Sequence, residues 1–116
     1  MNKKATTRQI NAFLRNFRHA KTVIFLPREK NMTLINRLAY RRHDAINIAK
    51  NLTVHDYYAG PKDDFDQERK ARGEVVWEFK TIVEKMPVYI KLQLRKQPAG
   101  QAFIISFHAD EFREVS

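Results

Sequence analysis

The chain has 116 residues, enough for a single domain over 1–116 that buries roughly two-thirds of the surface its unfolded form exposes. It has no cysteine, which excludes disulfides and thiolate metal sites and fits a reducing, cytoplasmic setting; no apolar run approaches the length of a membrane span, so no membrane partner is expected. Its 22 Lys and Arg against 13 Asp and Glu give a net charge of +9. The excess is lopsided: residues 1–53 carry twelve basic and two acidic side chains, residues 54–116 ten and eleven. A basic lobe attracts polyanions, which puts nucleic acid ahead of an acidic protein or a membrane surface as partner.

In chain order, "TTRQINAFLRNFRHA" spaces Ile10, Phe13, Leu14 and Phe17 at i, i+3, i+4 and i+7, an amphipathic helix with Thr6 or Thr7 as N-cap. "KTVIFLP" is a short strand closed by Pro27. "MTLINRLAYRRHDAINIAKNL" has helical periodicity through Leu34, Ile35, Leu38 and Ala39, and again through Ala45, Ile46, Ile48 and Ala49, for two consecutive helices or one bent helix. Thr53 caps a short turn, "TVHDYYAGP", which Gly60 and Pro61 stop. The segment 62–73, "KDDFDQERKARG", is charged over most of its length with Phe65 its one large apolar residue, and is expected to be a mobile loop. "EVVWEFK", "VYIKLQLRK" and "QAFIISFHA" alternate as β-branched and aromatic strands of an antiparallel meander. Their core faces are expected at Val75, Trp77 and Phe79, at Val88, Ile90, Leu92 and Leu94, and at Phe103, Ile105 and Phe107. The fold class is therefore α+β: a small antiparallel sheet, made of the three-strand C-terminal meander plus a short N-terminal strand, with helices on one face and the other face free.

A four-residue loop, Gln97 to Gly100, would set Lys96 opposite Gln101 and so Tyr89 opposite His108 and Lys91 opposite Ser106. Glu78 and Lys80 project from the neighbouring strand to the same face. Glu78, Tyr89, Lys91 and His108 thus form a candidate catalytic group suited to transesterification at an RNA phosphate. A base, Tyr89 or Glu78, removes the 2′-hydroxyl proton; Lys91, with Arg95, stabilises the growing charge; His108 protonates the departing 5′ oxygen. This chemistry needs no metal or other cofactor.

Other features carry ordinary readings. The His-Asp pairs at 43–44 and 55–56 are too few ligands for a catalytic ion. His19 reads as a solvated helix-end histidine, and Tyr57 and Tyr58 as packing, with base stacking the alternative. Ser106 has no histidine-carboxylate relay around it.

The succession "LTVHDYYAGP", "VVWEF", "VYIKL" and "FIISFHADEF" resembles the MqsR toxins of bacterial toxin–antitoxin systems, a branch of the RelE-like ribonucleases, over roughly residues 8–110. The resemblance implies a RelE-like fold and a metal-independent endoribonuclease, an mRNA interferase that inhibits translation. Its partners would be mRNA, free or on the ribosome, and a cognate antitoxin. Carried over by position, the catalytic tyrosine and lysine of the "VYIKL" strand are Tyr89 and Lys91, and Glu78 stands where the best-known member has glutamine. The chain departs from that member at Ala59, where a lysine is expected after the aromatic pair, and at His108, where the last strand ends in lysine. Lys62 or Arg72 can replace the first as an RNA contact, beside Lys80 and Arg95. A non-catalytic RNA-binding or translational regulatory module on the same scaffold is the alternative.

Overall fold

The structure, a computed structural model, describes residues 4–96 and 99–110. Helix α1, Thr7–Arg18, begins where the Thr6 hydroxyl accepts from the Gln9 amide at 3.1 Å and the Gln9 side chain accepts from the Thr6 amide at 2.8 Å. This reciprocal cap satisfies two donors that a helix start leaves unpaired. Ile10, Phe13, Leu14 and Phe17 are all buried, and the Phe13 ring stacks on Trp77 with centroids 4.6 Å apart. After β1, Thr22–Phe25, two separate helices follow: α2, Glu29–Leu38, and α3, Arg42–Lys50. They are two because Ala39 turns left-handed at φ 59° and the Asp44 carboxylate accepts from the Arg41 amide at 2.8 Å, starting the chain afresh. α2 begins before Met32, at Glu29, and Ala39 is exposed rather than part of a buried stripe.

The Thr53 cap expected from sequence forms, on a 3₁₀ turn at Val54–Asp56. Beyond it the chain does not stop at Gly60 and Pro61. Strand β2, Tyr57–Asp63, runs through both, and helix α4, Gln67–Ala71, occupies the segment expected as a mobile loop. Glycine is required at position 60: with φ at 113°, a Cβ there would lie 2.8 Å from the Val76 carbonyl oxygen. Proline is tolerated because β2 is an edge strand. The Asp66 carboxylate caps α4 by accepting from the Arg69 amide at 3.0 Å.

Strands β3, Val75–Val83, β4, Met86–Leu94, and β5, Gln101–Ala109, complete a five-stranded mixed sheet in the order β1-β5-β4-β3-β2. The strands β2 to β5 are antiparallel neighbours, and β1 lies parallel to β5. The fold is α+β, with a larger sheet than expected. The β3–β4 turn is made by Glu84 and Lys85 at φ 49° and 71°. Among the described residues, no helix is long and apolar enough to cross a membrane.

The expected core of β5 is wrong at two positions of three. Ala102 and Ile104 are buried in the core, and Phe103 and Ile105 lie on the other face. Near the hairpin turn Leu94 pairs with Ala102, and the Arg95 amide donates to the Gln101 carbonyl. The register there is one residue away from that predicted with Lys96 opposite Gln101; Gln97 and Pro98 of that loop lie outside the described residues. A β-bulge then intervenes, since Leu92 faces Ile104 but Lys91 faces Ser106, leaving Ile105 as the extra residue. The bulge shifts the alternation by one, so that Phe107 joins the core and Tyr89 faces His108 as expected.

Asn31, buried on α2, holds this irregular edge. Its amide nitrogen donates to the carbonyls of Leu26 and Ile105, both at 2.9 Å, and its oxygen accepts from the Phe107 amide at 2.9 Å. Asn31→Ala should therefore lower stability by about 1–3 kcal/mol, the cost of leaving the buried Phe107 amide unpaired, since Arg28 still donates to the Leu26 and Ile105 carbonyls. Urea unfolding is the measurement; a midpoint unchanged at constant slope would mean that the bulge stands without this side chain.

Candidate active site on the open half of the sheet

Strand register brings the four candidate catalytic residues together. Glu78 lies directly opposite Lys91, Lys80 opposite Tyr89, Tyr89 opposite His108 and Lys91 opposite Ser106. The Tyr89 and His108 rings are 5.3 Å apart between centroids, tilted by 36°. His108 Nδ1 is 2.9 Å from its neighbour Ala109's carbonyl oxygen. A carbonyl only accepts, so Nδ1 carries a proton in this contact, whether the ring is neutral or charged. His108 also borders a cavity of about 370 Å³ walled by Glu29, Thr33 and Arg37 of α2.

Burial and charge tune the central pair. Burial, then the charge and hydrogen bond of Glu78, push the Tyr89 hydroxyl far above the ordinary tyrosine value. Tyr89 is thus a proton donor at neutral pH. Burial also lowers Lys91, against the attraction of Glu78. Lys62 reaches over from β2 to place its amine 3.1 Å from the Glu78 carboxylate, while Lys80 approaches Asp110 at 3.3 Å and sits 4.0 Å over the Tyr58 ring. Two predicted RNA contacts, Lys62 and Lys80, therefore border the group.

The other two do not. The face opposite the helices is only half open, because the segment from Asp63 to Glu74 folds over its hairpin end. Gln93 is fully buried there, donating to Asp64 at 2.6 Å and accepting from Arg95 at 2.7 Å. The Glu74 carboxylate, also buried, lies 3.0 Å from Arg72 and 3.4 Å from Arg95. Arg95 additionally covers the Phe103 ring at 4.0 Å. Arg72 and Arg95 are committed to anchoring this flap, as the nearest charges to a carboxylate that cannot be buried alone.

Sequence reasoning missed Arg28. Its guanidinium donates to the Ile105 carbonyl at 3.1 Å, and its charge acts on both Tyr89 and Lys91. The residue lies in a connection, where periodicity says nothing; the one available signal was a basic residue following the strand-ending proline.

The remaining sequence candidates have structural work. Asp44 and Asp56, the aspartates of the two His-Asp pairs, each cap a backbone amide. Among the described residues no three histidine, cysteine or acidic side chains group as metal ligands. His19 is the C-cap of α1. The Tyr57 ring packs edge-on to Trp77 and Phe79 and its hydroxyl donates to the Gly60 carbonyl, whereas Tyr58 is exposed on the site face.

No family model matches this chain, and neither a curated protein nor a solved structure matches it.

The flap makes a pH prediction. Burial alone would raise Asp64, but hydrogen bonds from Arg69, the Asp66 amide and Gln93 outweigh it and hold the carboxyl at about 2. A folded-state value below the unfolded one adds stability at higher pH, fully present above the ordinary 3.8 and lost as pH falls towards about 2. Asp64→Ala should cost about 1–3 kcal/mol at neutral pH, by leaving the Gln93 amide unpaired, and should flatten the acid limb of the stability profile. Thermal melts across pH 2–7 check both effects; an acid limb as steep as the parent's would remove Asp64 as its source.

Proposed function

We propose that the chain is a metal-independent endoribonuclease that cleaves RNA by 2′-hydroxyl transesterification, acting as the mRNA-cleaving toxin of a toxin–antitoxin pair as its resemblance to the MqsR branch of the RelE-like ribonucleases implies. The observation that carries the reading is the group of buried Glu78 with half-buried Tyr89, Lys91 and His108 on three adjacent strands of one sheet face.

In this reaction Glu78 accepts the 2′-hydroxyl proton, and the freed oxygen attacks phosphorus. The bond to the 5′ oxygen breaks, and that oxygen takes its proton from Nε2 of the doubly protonated His108 imidazolium, which keeps its Nδ1 proton on the Ala109 carbonyl. The products are a 2′,3′-cyclic phosphate and a 5′-hydroxyl. Lys91 neutralises the charge that builds on the non-bridging oxygens, and Tyr89 donates a hydrogen bond to them. The raised Tyr89 favours Glu78 over Tyr89 as base. The protein's positive excess, which reaches the site through Arg28 and Lys30 at the start of α2, favours a polyanionic substrate.

The test is single-turnover cleavage of RNA by folded variants at fixed salt, with the ends of the products identified. Glu78→Gln and His108→Ala should each lower the rate by about 10²- to 10⁴-fold with little change in affinity, and Tyr89→Phe by about 10²-fold. Lys91→Ala should weaken both rate and binding. Binding without cleavage in the parent would favour the non-catalytic RNA-binding module, and 5′-phosphate products would exclude this chemistry. In a bacterial host, expression of the chain alone should arrest growth and deplete mRNA.

A further inference from the structure

The flap holds one residue that the cleavage reaction does not use. Phe65 is 91% exposed, the most exposed large apolar side chain of the described residues. It is not loose, because both neighbours are fixed. Asp64 is buried in its contacts with Arg69 and Gln93, and the Asp66 amide donates back to Asp64 at 2.8 Å while the Asp66 carboxylate caps α4. The fold therefore presents a phenyl ring to solvent from a well-anchored turn. Exposure forgoes the burial that such a ring would ordinarily contribute.

The ring stands beside the site. Lys91 Nζ is 5.5 Å from its centroid, and below both lies a cleft of about 340 Å³ floored by Leu26, Val76 and Ile105 with Arg28 at its edge. An apolar floor, an aromatic wall and two cations match a planar base attached to a phosphate. The two acids at the cleft do not oppose this, since Asp64 is paired with Arg69 at 2.9 Å and Asp63 lies 4.0 Å from Lys70.

We propose that this cleft binds the nucleobase on the 5′ side of the scissile phosphate, stacked on Phe65. The polarity rests on the cleavage reading: with the phosphate on Lys91 and His108 serving the departing 5′ oxygen, the leaving nucleotide lies towards His108. The nucleotide that supplies the attacking hydroxyl then lies on the other side of Lys91, where the flap is. Stacking reads the π-face common to all bases, so the contact contributes affinity and position rather than base identity.

The experiment uses single-stranded RNA oligonucleotides made uncleavable by a 2′-deoxy sugar at the cut position mapped with the parent protein. Dissociation constants are measured at fixed salt. Phe65→Ala should weaken binding between about 5- and 100-fold, the range for base–aromatic stacking, and Phe65→Leu nearly as much. Phe65→Trp should bind like the parent, with its indole fluorescence quenched by RNA. An abasic nucleotide 5′ of the cut should weaken the parent by the same factor yet barely affect Phe65→Ala, whereas an abasic nucleotide 3′ of the cut should weaken both alike. Affinity of Phe65→Ala within twofold of a parent that binds and cleaves RNA would overturn this proposal alone. A parent that does not bind RNA would overturn it together with the cleavage reading. Since Phe65 is exposed, the substitutions leave the fold intact, which circular dichroism verifies.

Discussion

The single extra residue at Ile105 decides which side chains meet on the sheet. Up to Ile104, strand β5 buries its even-numbered residues. Continued without interruption, that alternation would send His108 into the core and Phe107 out to solvent. The bulge exchanges them, placing His108 beside Tyr89. A bulge leaves backbone groups out of the ladder, and here the donors and acceptor come from one short stretch, with Arg28 and Asn31 supplying the Ile105 carbonyl and Asn31 the Phe107 amide. The same contacts seat the start of α2 along the edge of β5 beyond the short β1, where an unpaired strand edge would otherwise be exposed.

The second constraint is the buried acid pair of the flap. Asp64 and Glu74 cannot be buried without cations, and Arg69, Arg72 and Arg95 supply them. Gln93 joins the two clusters through its amide. This network closes the hairpin half of the polar face and leaves the half around Tyr89, Lys91 and His108 open. It also removes three arginines from the pool of mobile phosphate contacts, so the surface available to a polyanion is smaller than the net charge suggests.

How far the sequence revealed this depended on the kind of signal. The stripe of Ile10, Phe13, Leu14 and Phe17 and the alternation of Val88, Ile90 and Leu92 were readable because one face is buried without interruption. The pairing of Tyr89 with His108 was reached by a loop count that is off by one at the turn and compensated by the bulge, which no periodicity shows. Strand β2 was hidden because Gly60 and Pro61 are ordinarily strand breakers, and α4 because its residues are almost all charged. The turn at Glu84 and Lys85 has positive φ without the glycine or asparagine that usually marks one, so no signal in the sequence carries β3 past Lys80 to Val83. Arg72 and Arg95 looked like polyanion contacts because a sequence shows charge and not the buried carboxylate that claims it.

The order of the strands bears on whether one step can use both ends of the group. Glu78 is on β3, level with Lys91 on β4, and His108 is on β5, level with Tyr89, so the acid and base of the proposed reaction lie two strand spacings and two residues apart, a diagonal of roughly 12 Å between backbones. In-line displacement at phosphorus needs its proton acceptor and donor on opposite sides of the phosphate, each one hydrogen bond of about 2.7–2.9 Å beyond the attacking or leaving oxygen. Two groups on the same or adjacent strands would crowd to one side. A phosphate centred on β4 has Glu78 to one side and His108 to the other, with Lys91 and the Tyr89 hydroxyl beneath it. The antiparallel meander thereby supplies the required spacing through its own ladder, and the one local irregularity it needs is the bulge that turns His108 to the right face.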